Sequence, residues 1–290
     1  MSVLKLILSA AAPLPDIESF DSFLFIGPHP DDIEIGAGAT AAKLAAAGKS
    51  VCFLICIDGR YGDGATSLRG DGLVMRRREE ASASARKLGI SDVRFLDFCD
   101  GGFYAENDLI TAIARAVGDF APDVIFAPDP CVTSECHIDH LNVGNAARRI
   151  ACFAPYPNIM ERYGASSADV KALAYYFTAK ANRFVGTRGF LEKQLDSAFS
   201  CHTSQFPDGC GAAKSISMYL RLRAADFGIR SLRGSAEGFR VLGATQMHCF
   251  PEAGEYRRGK TLTSSSVSDS AAKKLRCLFF VGTGHGYIKI

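Results

Sequence analysis

The sequence lacks the features that direct a protein to nucleic acid or into a membrane. Its 33 basic and 31 acidic side chains leave a net charge of only +2, so no strong positive field predicts a nucleic-acid partner. No apolar run approaches the roughly 18 residues that a membrane-spanning helix needs. The hydrophobic content of 48% over 290 residues is instead typical of a globular protein with one large core.

A disulfide framework is also missing, although the chain has 10 cysteines. No Cys-x-x-Cys pair occurs, and three of the cysteines lie inside apolar stretches where a thiol simply packs: Cys52, Cys56 and Cys277. Residues 1–10 contain a short apolar stretch that Lys5 interrupts, and no basic region precedes it, unlike a secretory signal. These features predict a cytoplasmic protein with reduced thiols.

Alternating apolar and helical segments predict the fold class. Strands are predicted at residues 23–26, 51–57, 93–96 and 124–127, and helices follow them at about 39–47, 73–88, 108–120 and 141–153. This βαβαβαβ order predicts an α/β protein with a Rossmann-like, doubly wound and mostly parallel sheet flanked by helices.

The second half of the sequence is less regular. Short strands are predicted at 172–178 and 182–185, helices at 191–199 and 216–227, a mobile Ser/Thr-rich stretch at 261–270 and an edge strand at 275–281. We therefore expect a single domain over residues 1–250 and a C-terminal extension over residues 251–290.

A polar motif follows the first predicted strand, where Gly27 ends the apolar stretch. The motif is Pro28-His29-Pro30-Asp31-Asp32. Polar residues at the end of such a strand point into the crevice that open α/β sheets use for ligands. One imidazole and two carboxylates supply metal ligands suited to zinc and leave one carboxylate for proton transfer.

A second cluster, His137-Ile138-Asp139-His140, follows the strand predicted at residues 124–127. Because the carboxyl ends of parallel strands meet at one edge of a sheet, we expect both clusters to lie together. His29 and Asp32 can converge on one ion, and His140 can complete a set of three ligands. Catalytic zinc sites use three protein ligands and keep a fourth position for water.

The other polar residues of the two clusters suit proton transfer. Asp31 lies near the predicted ion without binding it and suits the role of general base. His137 can stabilise an oxyanion or protonate a leaving group, and Asp139 can fix the ring of a histidine. Either cluster alone could be a turn in which an aspartate caps the next helix. Both clusters on one sheet edge favour a mononuclear metal hydrolase.

These motifs resemble the LmbE/PIG-L-like zinc-dependent N-deacetylases, the N-acetylglucosaminyl deacetylase family. The hallmarks of that family are a His-Pro-Asp-Asp motif after the first strand and a His-x-Asp-His motif further on. Other segments that resemble family patterns are residues 32–38, 77–80, 88–89, 95–101, 175–177, 202–205 and 236–240. The resemblance extends over roughly residues 20–245.

The resemblance implies a hydrolase that removes the acetyl group from an N-acetylated amino sugar of the N-acetylglucosamine type. It implies one Zn²⁺ per chain, or another divalent metal, held by His29, Asp32 and His140. It further implies that Asp31 is the base that activates water, and that His137, held by Asp139, assists the tetrahedral intermediate. Family members often form trimers or hexamers, which makes a homo-oligomer an expectation as well.

Substrate contacts are implied at three positions. Arg77 matches a family arginine, Asp100 lies in a loop that reaches sugar hydroxyls, and Glu135 stands where some members have a tyrosine. For Arg77, a solvated helix face within a charged run fits the sequence equally well. Asp100 before two glycines also fits a simple turn. Pro28 and Ile138 depart from the family's small residue and proline, and neither side chain needs to reach the metal.

Two other classes of protein stay open at this point. A dinucleotide-binding protein would need Gly-x-Gly-x-x-Gly spacing where Pro28-His29-Pro30 stands. A non-catalytic sugar- or nucleotide-binding protein would keep the fold but would have no need of Asp31 and His137.

Overall fold

In the computed structural model, which describes residues 3–62 and 64–248, seven strands form one central sheet. The strands are β1 (Ser22–Gly27), β2 (Ser50–Ile57), β3 (Asp92–Phe98), β4 (Val124–Pro128), β5 (Ala172–Tyr176), β6 (Arg183–Gly186) and β7 (Ala236–Gly243). Their order across the sheet is β3-β2-β1-β4-β5-β7-β6. The first five run parallel, whereas β7 pairs antiparallel with β5 and with β6.

Helices cover both faces of this sheet. They are α1 (Val3–Ala11), α2 (Asp32–Ala46), α3 (Gly70–Leu88), α4 (Glu106–Phe120), α5 (Ile138–Phe153), α6 (Pro157–Arg162), α7 (Leu191–Cys201), α8 (Gly211–Arg230) and α9 (Ala244–Met247). Within the described residues, no helix is both long enough and apolar enough to cross a bilayer.

Alternation along the strands builds two cores, one on each face. In β1, Phe23 and Phe25 pack on the side of α2 and α3, whereas Leu24 and Ile26 pack on the side of α4 and α5. The ring of Phe25 stacks on Phe126 of β4, with centroids 4.2 Å apart. Because both faces are buried, the strand is apolar throughout, as parallel sheets require.

The predicted fold class is confirmed: the protein has a mostly parallel sheet flanked by helices. Several helices begin earlier than predicted, including α2 at Asp32 instead of residue 39, α5 at Ile138 instead of residue 141 and α8 at Gly211 instead of residue 216. Polar residues occupy the first turns of α2 and α5, so apolar periodicity predicted only the later turns of these two helices. The segments predicted at 261–270, 275–281 and 251–290 lie outside the described residues, as does Cys277. The domain division near residue 250 therefore stays a prediction.

Strand β7 is the one strand among the described residues that the sequence did not predict. All eight of its residues are buried, although Glu237 and Arg240 interrupt the apolar pattern. Each has a buried partner: Glu237 accepts a hydrogen bond from Gln194 at 2.9 Å, and Nε of Arg240 donates to Asp129 at 2.7 Å. Because Glu237 and Arg240 acquire these partners only in the folded chain, the sequence pattern does not indicate a buried strand here.

Helix α5 packs directly against the end of β4, and this contact fixes the position of the second cluster. A Cβ atom at Gly144 would lie 2.6 Å from the carbonyl oxygen of Pro128 and 3.0 Å from Cδ of Pro130. Only glycine allows this close approach, one turn after His140.

We expect Gly144→Ala to lower the free energy of unfolding by about 2 kcal/mol, because α5 must move off the strand end. Gly72→Ala is the matched control, since its Cβ would meet nothing within 4 Å in the first turn of α3. That variant should be neutral, or more stable by up to about 1 kcal/mol. Urea unfolding of both variants measures the difference, and equal effects would contradict the close packing.

Candidate active site

A cavity of about 370 Å³ opens at the carboxyl edge of the parallel strands. Its floor contains residues that follow β1, including His29, Asp31 and Asp32. The loops after β3 and β4 contribute Asp100 and His137. The structure thus brings the two clusters together at the place where open α/β sheets bind ligands. The volume of the cavity lies in the range that is typical of small-molecule binding sites.

Three side chains form a compact set of potential metal ligands. His29, Asp32 and His140 each offer one ligand atom, and these atoms all lie within 4.8 Å of one another. Oδ2 of Asp32 is 3.3 Å from Nδ1 of His29 and 3.3 Å from Nε2 of His140. All three residues are buried. Two imidazole nitrogens and one carboxylate oxygen suit Zn²⁺ and leave room for a fourth ligand, so the residues fit the metal that the sequence predicts.

The opposite nitrogen of the His29 ring faces two other carboxylates. Its Nε2 lies 3.2 Å from Oδ2 of Asp139 and 3.3 Å from Oδ1 of Asp100. A metal-bound histidine commonly gives its second nitrogen to a carboxylate, which fixes the ring. The nearest histidine to Asp139 is therefore His29, whereas Nδ1 of His137 is 3.7 Å away.

Asp139 is fully buried and has several hydrogen-bond donors. The backbone N–H groups of Gly101 and Gly102 donate to it at 2.8 and 2.9 Å, and the hydroxyl of Tyr104 donates at 2.8 Å. Burial alone would raise the pKa of Asp139, but these bonds and the contact with His29 hold it far below its usual range. A second group of potential ligands comprises His29, Asp100, His137 and Asp139. The carboxylate oxygens of Asp139 are already occupied, which favours the set built on Asp32.

Asp31 occupies a strained backbone position beside the potential metal ligands His29 and Asp32. Its φ of 121° lies in a region that residues other than glycine rarely adopt. A guanidinium nitrogen of Arg77 lies 3.5 Å from the Asp31 carboxylate and also donates to the carbonyl of Pro30 at 2.9 Å. Burial raises the pKa of Asp31 to about 6, although Arg77 acts in the opposite direction. Asp31 belongs to neither group of potential ligands.

The three residues with an implied substrate role occupy different places. Arg77 lines the cavity but is only 2% exposed, so the solvated helix face considered for it is wrong. Asp100 also lines the cavity and accepts a hydrogen bond from the backbone N–H of Tyr61 at 3.2 Å. Glu135 instead contacts the second cluster. It accepts from the N–H of His137 at 2.8 Å and lies 3.3 Å from Nδ1 of His140.

The sequence did not predict the groups that surround these residues. Nε2 of His202 lies 3.3 Å from Oε1 of Glu34, and both side chains are at most 1% exposed. The turn after α7 is tied to α3, because Glu80 accepts hydrogen bonds from the N–H of Ser204 at 3.0 Å and from its hydroxyl at 2.6 Å. The far wall of the cavity is formed by Gln205, Phe206, Ala212 and Ile216. The resemblance at residues 202–205 was the only sequence signal for this wall.

We expect Tyr104→Phe to lower the free energy of unfolding by about 1–2 kcal/mol, because it removes one donor from a buried carboxylate. Tyr163→Phe is the matched control: the Tyr163 hydroxyl makes no hydrogen bond to any residue that the structure describes. Thermal unfolding of the two variants gives the comparison. A loss at Tyr163 as large as that at Tyr104 would contradict the assigned contact.

Comparisons with known proteins agree with this geometry. Residues 24–151 match the family model described as PIG-L, GlcNAc-PI de-N-acetylase. The chain is 33% identical over 233 residues to the diacetylchitobiose deacetylase of Thermococcus kodakarensis, covering 79% of this chain and 86% of that protein. It is 35% identical over 129 residues to the 1D-myo-inositol 2-acetamido-2-deoxy-alpha-D-glucopyranoside deacetylase of Kineococcus radiotolerans, covering 41% and 36%.

A solved structure is similar over nearly its whole length. The N,N'-diacetylchitobiose deacetylase from Pyrococcus horikoshii superposes with a TM-score of 0.74 at 28% sequence identity. The match covers 87% of this chain and 97% of that one. The similarity therefore includes the antiparallel strands and the helices of the second half as well as the parallel sheet.

Proposed function

The chain belongs to the PIG-L family of de-N-acetylases, and from this premise we propose that it hydrolyses the acetamide of an N-acetylated amino sugar. It is a deacetylase, a hydrolase of carbon–nitrogen bonds other than peptide bonds. The observation that carries the proposal is the buried trio of His29, Asp32 and His140 with the carboxylate of Asp31, which belongs to neither group of potential ligands, beside it.

Zinc is the cofactor that this trio suits best. Two neutral imidazoles and a carboxylate form a common ligand set of catalytic zinc sites. Bound there, the ion would supply Lewis-acid polarisation of the acetyl carbonyl and would lower the pKa of a water molecule. Asp139 and Glu135 would orient the rings of His29 and His140 through the nitrogens that face away from Asp32.

Proton transfer in the proposed reaction depends on Asp31 and His137. The carboxylate of Asp31 accepts a proton as the water oxygen forms a bond to the acetyl carbon. His137 lies across the cavity, with its ring centroid 4.8 Å from that of His29, and donates a hydrogen bond to the developing oxyanion. The carbon–nitrogen bond then breaks, the amine takes the proton, and acetate and the free amino sugar leave.

Arg77 acts in this proposal as a positioning residue for the base. Its guanidinium bridges the Asp31 carboxylate and the carbonyl groups of Pro30 and Gly59. These contacts hold a backbone conformation that is unfavourable by itself. A protein that merely bound sugar would not need a strained aspartate held in this way, which disfavours the non-catalytic alternative.

The cavity supports a substrate in which the amino sugar is joined to a second ring. Polar groups of Asp100 and Gln205 suit sugar hydroxyls, and Phe206 and Ile216 offer an apolar wall. At the rim, the rings of Tyr61 and Phe103 lie 6.1 Å apart and are exposed by 53% and 72%. Exposed aromatic rings of this kind suit the apolar faces of sugars. The names of both deacetylase relatives denote an acetamido sugar joined to another ring.

We expect Asp31→Asn to retain the metal but to lose about 10²- to 10⁴-fold in kcat, the usual contribution of a general base. Asparagine tolerates positive φ better than most residues, so the turn should persist. His140→Ala should lose both the metal and the activity, and His248→Ala, at an exposed position, is the control. Metal analysis and acetate release measure the two properties. Normal turnover by Asp31→Asn would reject the assigned base.

We expect acetate release from N,N'-diacetylchitobiose by the metal-loaded enzyme, loss of this activity after chelation, and recovery on addition of Zn²⁺. N-acetylglucosamine alone should have a lower kcat/KM, because it leaves the rim unfilled. Acetate assays on both sugars, before and after chelation, make the comparison. Full activity in metal-free protein would reject the cofactor, and failure of every acetylated amino sugar would reject the substrate class.

A further inference from the structure

The side chain of Gln194, on α7, is bound to the backbone of α2. Its Nε2 atom donates to the carbonyl oxygens of Glu34 and Ile35 at 2.8 and 3.2 Å. Gln194 is 1% exposed, and a Cβ atom at Gly38 would lie 3.0 Å from its Cγ atom. Carbonyl groups inside a helix normally bond to the N–H groups four positions later. The amide of Gln194 therefore holds this turn of α2 from outside the helix.

The carboxylate of Glu237, on β7, is bound to the same part of α2. It accepts hydrogen bonds from the N–H of Thr40 at 2.7 Å, from the N–H of Ala39 at 3.3 Å and from Nε2 of Gln194 at 2.9 Å. In a regular α-helix the N–H of Ala39 bonds to the carbonyl of Ile35. In α2 that N–H also faces Glu237, and that carbonyl also faces Gln194. Side chains that insert between such groups are a recognised cause of a change in helix direction.

The turn that these two side chains bind leads directly to the candidate active site. The N–H of Ile35 donates to the carbonyl of Asp31 at 3.0 Å. Ile35 therefore links Gln194, which binds its carbonyl, to the residue proposed as the general base. Asp31 and Asp32 lie at the start of α2, whereas His140 lies on α5. Any change in the direction of the first turn would move both carboxylates relative to His140.

We propose that Gln194 and Glu237 are positioning residues that fix the first turn of α2, so that Asp31 and Asp32 face His140 in the geometry that the reaction needs. This inference rests on the proposed metal site. Neither Gln194 nor Glu237 lines the cavity, and both lie beyond the residues 24–151 that match the family model. A displacement of about 1 Å at a reacting group can lower a rate about 10²-fold, so contacts outside the cavity can determine turnover.

The polarity of the pair allows a direct test. The carbonyl groups of Glu34 and Ile35 need a donor at position 194, and the N–H groups of α2 need an acceptor at position 237. Glu237→Gln replaces one carboxylate oxygen by an N–H donor. Exchanging both residues, Gln194→Glu with Glu237→Gln, restores a hydrogen bond between the two side chains. The exchange nevertheless leaves a carboxylate against two carbonyl oxygens, which is repulsive.

We expect Glu237→Gln and the exchanged double variant to lose about 10- to 100-fold in kcat for acetate release, with KM changed by less than about three-fold. In metal-free protein, the amides of residues 35–37 should exchange with deuterium about ten-fold or more faster than in the wild type. The amides of residues 43–46, later in α2, should exchange as before. Hydrogen exchange needs neither metal nor substrate, so it tests the positioning even if every acetylated amino sugar fails as a substrate.

Ser197→Ala is the matched control, one turn further along α7. The buried hydroxyl of Ser197 lies 2.6 Å from that of Ser84 on α3 and donates to the carbonyl of Ser84 at 3.1 Å. Its loss should lower the free energy of unfolding but should leave kcat and the exchange of residues 35–37 unchanged.

Two results would overturn the proposal. Normal kcat in the exchanged double variant would show that Gln194 and Glu237 need only each other, which is a purely structural role. Exchange of residues 35–37 that stays at the wild-type rate in Glu237→Gln, or that rises equally throughout the chain, would also reject it. Glu237→Gln keeps the volume of the side chain, so it decides the question if the exchanged variant does not fold.

Discussion

The candidate active site depends on the pairing of its buried charged side chains with one another and with hydrogen-bond donors. His29, Asp31, Asp32, Asp139 and His140 are each no more than 8% exposed, and unpaired charges at such depth would be very costly. Each carboxylate therefore has donors or cations in contact: two imidazoles for Asp32, an arginine for Asp31, and backbone N–H groups for Asp139. A divalent cation among them would complete this balance. The same polar groups thus hold the loops together and prepare the site.

Sheet topology explains why these groups meet. The chain goes from β1 to β2 and β3 on one side, and β4 and β5 lie on the other side of β1. The crevice of a doubly wound sheet opens at this reversal, between β1 and β4. His29 and Asp32 follow β1, and His137 and His140 follow β4. The arrangement of the potential ligands is therefore a consequence of strand order, and the close approach of Gly144 to Pro128 holds α5, which contains His140, against the end of β4.

The sequence predicted those elements whose residues follow a local pattern of apolar and polar positions. The first four strands and the helices that follow them have apolar periodicity, and the potential ligands His29, Asp32 and His140 lie in motifs at strand ends. The contacts that the sequence did not reveal join distant residues: Glu34 and His202 are 168 positions apart, and Asp129 and Arg240 are 111 apart. A charged residue in an unpredicted strand gives no sign of its partner until the fold exists. For that reason β7 was missed although it is completely buried.

The residues proposed for the reaction and those proposed for substrate specificity lie in different parts of the chain. The family match over residues 24–151 contains every residue proposed to bind metal or move a proton. The far wall of the cavity, with Gln205, Phe206 and Ile216, comes from beyond that range. Hydrogen bonds between Glu80 and Ser204 attach this wall to α3, and not to the helices that contain the potential ligands. In the proposed function, the metal site thus determines the reaction, and the far wall of the cavity contributes to the choice of the ring to which the acetamido sugar is joined.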